Sequence, residues 1–87
     1  MADKSHQIVV VFLGGLREAA GQRTVQLQVE SSESTVEELR RKLEAQFPML
    51  VRWMPSVRFA LDSRYVDPAE RIGRAVELAL IPPVAGG

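Results

Sequence analysis

The stretch from Thr35 to Phe47 carries the clearest helical pattern in the chain, and the segments around it read as short strands. Thr35 followed by Glu38 matches a capping box, in which side chains and backbone satisfy one another at a helix start. Val36, Leu39, Leu43 and Phe47 recur at helical spacing and make one apolar stripe. Glu37 with Arg41 and Glu38 with Lys42 stand four residues apart on the wet side, each pair stabilising by about 0.2–0.5 kcal/mol. Pro48 ends the helix, because its ring disfavours helical geometry at Phe47. At 87 residues the chain has room for a single core, so the surface that covers this stripe must come from the flanking strands.

Those strands are legible from alternation and from β-branched content. Ile8 to Leu13 is an unbroken apolar run followed by Gly14-Gly15, which predicts a first strand buried on both faces at the centre of a sheet. From Arg23 to Val29, Val25, Leu27 and Val29 alternate with Thr24, Gln26 and Gln28, as in a half-buried antiparallel strand. The link from Gly14 to Gly21 is too long for a tight turn and predicts an elaborated loop holding about one helical turn. Val57, Phe59 and Leu61 alternate with polar or small neighbours as a third strand, Asp62-Ser63 turns into a short Arg64-Tyr65-Val66 strand, and Val76, Leu78 and Leu80 mark a last one. This order fits an α+β fold: a ubiquitin-like β-grasp by analogy, a mixed sheet of about five strands with one main helix packed across it. The first and last strands are expected parallel and adjacent in the middle. Residues 1–81 are expected to form the β-grasp domain and residues 82–87 an extended tail.

Composition narrows the function. Eleven Lys plus Arg balance eleven Asp plus Glu, so no overall field recruits nucleic acid or an anionic membrane. There is no cysteine, which removes disulfides, thiolate metal sites and a thiol nucleophile together. His6 stands alone, and Asp62, Asp67 and Glu70 have no histidine to complete a metal set, so no metal site is expected. Gly14-Gly15 lacks the spacing of a phosphate-binding loop. These residues argue against an enzyme acting on its own. The longest apolar run is far below a membrane span and the polar start lacks signal-peptide organisation, so a cytoplasmic protein is expected.

The chain then runs from Ile81 through Pro82, Pro83, Val84, Ala85 and Gly86 to Gly87. The prolines hold the backbone near an extended geometry, and six steps reach roughly 20 Å at about 3.3 Å per residue. Ala85, Gly86 and Gly87 taper to no side chain, which suits a backbone that threads a narrow channel and leaves the carboxylate of Gly87 unhindered. A carboxylate is a poor electrophile; activation as an acyl-adenylate opens it to a thiol, persulfide or amine.

On the segment Phe12…Arg17-Glu18-Ala19-Ala20-Gly21 and the end Leu80-Ile81-Pro82-Pro83-Val84-Ala85-Gly86-Gly87, the sequence resembles the small subunit of molybdopterin synthase, a β-grasp sulfur carrier of the ubiquitin-like group. That resemblance implies a cycle on Gly87. A ubiquitin-activating-type adenylating enzyme would use ATP to form the acyl-adenylate, and a sulfur-donor persulfide enzyme would convert it to a thiocarboxylate. The loaded tail would enter the large synthase subunit and donate sulfur to cyclic pyranopterin monophosphate. The carrier itself would bind no cofactor. A different client, such as cysteine, thiamin or thiolated RNA synthesis, or conjugation to proteins, is an alternative, as is an interaction module with an inert tail. Two places depart from the family pattern: Gly73-Arg74-Ala75 replaces an acidic-Gly-acidic turn, and Leu61-Asp62 stands where an Asn is frequent.

Other residues admit two readings each. Arg17 either contacts a partner or is a solvated turn arginine beside Glu18. Ile81 faces away from Leu80 by alternation, and is either an apolar anchor for a partner or covered by the chain's own loops. Met49, Trp53 and Met54 either dock a partner or, as expected, lid the core. Arg40, Arg41 and Lys42 are expected on the wet helix face.

Overall fold

The computed structural model describes residues 5–83. Five strands form one sheet in the order β2-β1-β5-β3-β4, with β1 at His6–Phe12, β2 at Thr24–Val29, β3 at Arg58–Leu61, β4 at Arg64–Val66 and β5 at Glu77–Ile81. The first and last strands lie side by side and parallel, with Val9 opposite Glu77 and Phe12 opposite Leu80. The flanking pairs β1–β2, β3–β5 and β3–β4 are antiparallel. Helix α1, Gly15–Ala20, sits in the β1–β2 connection where one helical turn was expected, and α2, Val36–Gln46, is the main helix.

Local chemistry explains the ends of α2. The Thr35 hydroxyl accepts from the Glu38 N–H at 3.3 Å, and the carbonyls of Glu70 and Pro68 accept from Val36 and Glu37 at 3.0 and 2.9 Å, so the loop before β5 completes the cap. Val36, Leu39 and Leu43 are buried, and Phe47, just past the last turn, meets Phe12 edge-to-face at 5.7 Å. On the outer side Arg40 bridges Glu37 and Glu44. The Arg40 hydrogen bond holds the Glu37 carboxyl below its ordinary value, against a smaller opposing effect of desolvation. Arg41 reaches Glu37 at 3.3 Å as expected. Lys42 differs from expectation: it ties α2 to the edge strand through the Gln28 carbonyl at 2.8 Å and Glu30 at 3.3 Å, and does not pair with Glu38. A cross-element partner with a free backbone acceptor satisfies more of its ammonium donors than one helix neighbour does.

One apolar cluster gathers Ile8, Val10 and Phe12 of β1, Leu27 and Val29 of β2, Leu78 and Leu80 of β5, and the buried residues of both helices. Leu50 and Met54, from 3₁₀ turns at Pro48–Leu50 and Met54–Ser56, belong to it too, and Trp53 packs against it half-buried. The expected lid is therefore real in Met54 and Trp53. Met49 is half exposed and takes no part; Leu50, fully buried, fills that place, because the 3₁₀ turn sends neighbouring side chains in different directions.

Three strand expectations need correction. The run Ile8 to Leu13 is buried on one face only: Ile8, Val10 and Phe12 are inside, Val9 and Val11 are half-buried, and Leu13 lies beyond the strand and is exposed. Both helices and both 3₁₀ turns feed the same cluster, so among the described residues no helix is left to cover the opposite face. Val76, expected inside, is 63% exposed and precedes β5; the Asp62 carboxylate accepts from the N–H groups of Val76 and Glu77 at 3.1 and 3.0 Å, and that tether fixes the strand entry instead. Val57 is buried but falls outside β3. Asp62 and Ser63 both take positive φ, 46° and 70°, as a two-residue type I′ hairpin requires.

Candidate functional site

The parallel β1–β5 pairing aims the last strand outward past the end of β1. The Leu80 carbonyl accepts from the Leu13 N–H at 3.2 Å, and on the other side Ile81 stands opposite Arg58. Beyond Ile81 the ladder stops. Pro82 and Pro83 carry no N–H and their rings fix φ, so the exit is stiff at its root. Val84, Ala85, Gly86 and Gly87 lie outside the described residues.

Cross-strand partners point to the same side of a sheet, so the register defines the open face residue by residue. One row runs Thr24, Val11, Ala79, Ala60, Tyr65 across all five strands. Val9 and Ile81 flank it on β1 and β5. Ile81 is half-buried on this face, outside the core cluster and with no described helix over it. The surroundings are polar: Gln26 and Gln28 on β2, Gln7 and Glu77 at the far end, and Arg58 lying 4.6 Å above the Tyr65 ring. An apolar centre with such a rim is the usual anatomy of a protein-binding patch.

Arg17 sits on α1, which starts directly beyond the end of β1, and so lies at the same end of the sheet as the tail root. Its side chain is exposed, and its backbone N–H and carbonyl are used in the Gly14 and Gly21 turns. The structure thus gathers Arg17, Ile81, Pro82 and Pro83 at one end. Sequence reasoning missed Val9, Val11 and Ala79, because an all-apolar strand looks the same whether one face is covered or two; the alternation of Ala79 and Ile81 with Leu78 and Leu80 was the available clue. It also missed Gly14, whose place beside Pro82 depends on a contact between distant segments. Among the described residues no three His, Cys, Asp or Glu side chains converge as a metal set, and no helix is long and apolar enough to cross a membrane.

A mixed five-stranded sheet with one main helix across it, and a stiff exit from its central strand, defines the ubiquitin-like β-grasp class. The chain belongs to the ThiS family, whose model matches residues 10–87. It is 32% identical over 82 residues to the molybdopterin synthase sulfur carrier subunit of Caenorhabditis briggsae, covering 92% of this chain and 96% of the relative. Among solved structures it is similar to SAMP1, a small archaeal modifier protein, from Haloferax volcanii, with a TM-score of 0.81 and 27% identity over 94% of this chain and 100% of the other. It shares its fold with a chain in the complex of subunits 1 and 2 of molybdopterin-converting factor from Helicobacter pylori, at a TM-score of 0.67 and 22% identity over 94% of this chain and 100% of that one.

Proposed function

We propose that this chain is the sulfur carrier of a molybdopterin synthase, not catalytic by itself, and that Gly87 bears the sulfur as a C-terminal thiocarboxylate. The observation that carries this is similarity to a molybdopterin synthase sulfur carrier subunit along nearly the whole of both chains. The stiff exit at Pro82-Pro83 supports it, because residues with small side chains or none follow it in the sequence.

In this reading residues 82–87 are a working tail on the β-grasp body, with Val84, Ala85 and Gly86 as the threading segment. A carboxylate oxygen of Gly87 attacks the α-phosphorus of ATP in a ubiquitin-activating-type enzyme, and pyrophosphate leaves. The terminal sulfur of a donor persulfide then displaces AMP from the acyl carbon, and a thiol cleaves the resulting S–S bond to release the thiocarboxylate. The loaded tail enters the large synthase subunit, which rests on the open sheet face around Ile81 and, at its edge, Arg17. There the sulfur is transferred to cyclic pyranopterin monophosphate, and water takes its place on the acyl carbon to restore the Gly87 carboxylate. The chain supplies no acid, base or metal to these steps; it supplies a presented carboxylate and a docking face.

Intact-mass measurement on the chain, incubated with ATP, its activating enzyme and a persulfide donor, tests the reading. A species heavier by one oxygen-to-sulfur exchange is expected, and it should vanish when Gly86 and Gly87 are removed. Its absence with an activating enzyme known to be competent would end the carrier reading. A second reading, conjugation to proteins, draws on the similarity to SAMP1; it predicts isopeptide-linked adducts of the chain in a lysate supplied with ATP.

A further inference from the structure

The end of β1 meets the tail root at one glycine. Gly14 has φ 55° and ψ −137° and occupies the first central position of a turn closed by the Leu16 N–H donating to the Leu13 carbonyl at 3.1 Å. That is type II′ geometry, open to glycine and strained for any residue with a side chain. A Cβ built on Gly14 would also stand 3.0 Å from Cγ and 3.8 Å from Cδ of Pro82. Carbon atoms pack best at about 3.5–4.0 Å, so a side chain on Gly14 would make the proline ring give way by a few tenths of an ångström.

The contact falls where other restraints run out. Pairing with β1 ends at Leu80 and pairing with β3 at Ile81, so no ladder bond steers the chain after that. What remains to set direction is the fixed φ of Pro82 and the surface its ring rests on. Five further residues separate Pro82 from Gly87, a reach of at most about 17 Å, so the direction set at Pro82 is the start of every path to the terminus.

We propose that Gly14 is a positioning residue for chemistry at Gly87: its missing side chain is the seat of the Pro82 ring, and the seat sets the direction in which the tail leaves the sheet. This rests on the carrier reading above, since it concerns the presentation of Gly87 to the activating enzyme. A misplacement of an ångström at a reacting group can cost up to about a hundredfold in rate, so a displaced root reads out in catalysis by the partner.

The test is a double-mutant cycle on adenylation, with carrier concentration varied against its activating enzyme and ATP. Gly14→Ala should lower kcat/KM about tenfold in the wild-type background, within the range that such a misplacement allows. In the Pro82→Ala background, where no Cγ remains to collide, the same change should cost less than about twofold. Equal losses in both backgrounds would show that Gly14 acts through its turn alone and overturn the proposal. Thermal unfolding of all four chains separates loss of fold from loss of presentation. A structural arm needs no enzyme: nuclear Overhauser contacts between the Gly14 Hα and Pro82 Hγ protons are expected in the wild-type chain, and their absence rejects the seat even if Gly14→Ala does not fold. If no chain is adenylated, wild type included, the carrier reading fails while these contacts still decide whether the seat exists.

Discussion

Ile8, Val10, Phe12, Leu78 and Leu80 share two strands with Val9, Val11, Ala79 and Ile81, and the two sets are almost equally apolar. The first set is buried to 1% exposure or less under the helices; the second is half-buried on a face that no described helix covers. Apolar content therefore does two jobs in one pair of strands. On the covered side it holds the fold together, and on the open side it keeps a surface that gains from being buried by something else. Substitution should separate the two, because a side chain on the open face has less burial to lose than one in the core.

The largest effect is expected at Leu80, which is fully buried. Leu80→Ala should destabilise by about 2–5 kcal/mol, the usual range for a buried leucine truncation. For a domain of this size each kcal/mol lowers the melting temperature by about 4–8 °C, which calorimetry would register. A loss below about 1 kcal/mol would mean that the centre of the sheet is not where stability is concentrated. Next comes its neighbour. Ile81→Asp should lower the melting temperature far less than Leu80→Ala but, on the carrier reading, weaken binding to the large synthase subunit about 30-fold or more, the effect of losing about 2 kcal/mol at an interface anchor. Titration calorimetry with both proteins checks it; a large drop in stability with unchanged affinity would invert the assignment of the two faces.

The smallest effect concerns the solvent side of the helix that covers the core. The Glu37 carboxyl is held below its ordinary value by Arg40, so its contribution to stability is complete above the ordinary glutamate value of the unfolded chain and is lost as pH falls through the lower folded value. Denaturant midpoints of the native chain and Glu37→Gln should differ slightly at neutral pH and converge on acidification below that value. A difference that grows with acid would contradict the direction of the shift. Glu37 is exposed enough that solvent screening keeps this contribution minor.

How much of this could be read beforehand depended on the range of the interaction involved. The main helix, its Thr35 cap, its Pro48 stop and the alternation of Val25, Leu27 and Val29 are local patterns, and all were legible. The parallel centre of the sheet followed from element order by analogy with the β-grasp. Single coverage of β1 was not legible, because Val9 and Val11 are apolar whichever surface they face. Val76 misled because alternation cannot see the Asp62 carboxylate that holds its backbone outside the strand. Lys42 turned to Gln28, and Pro82 came to rest on Gly14, through contacts between segments far apart in sequence.

Pairing of Val9 with Glu77 joins the earliest strand to the last one at the middle of the sheet. During synthesis β1 leaves the ribosome long before β5 exists, so the sheet cannot close until Glu77–Ile81 has been made. Such distant pairing is formed late and slowly compared with local contacts. The strand that closes the sheet is also the one that carries the tail. The root of the tail is thereby coupled to completion of folding: a chain stalled or cleaved before β5 has neither a finished core nor the strand from which Pro82 and Pro83 lead out.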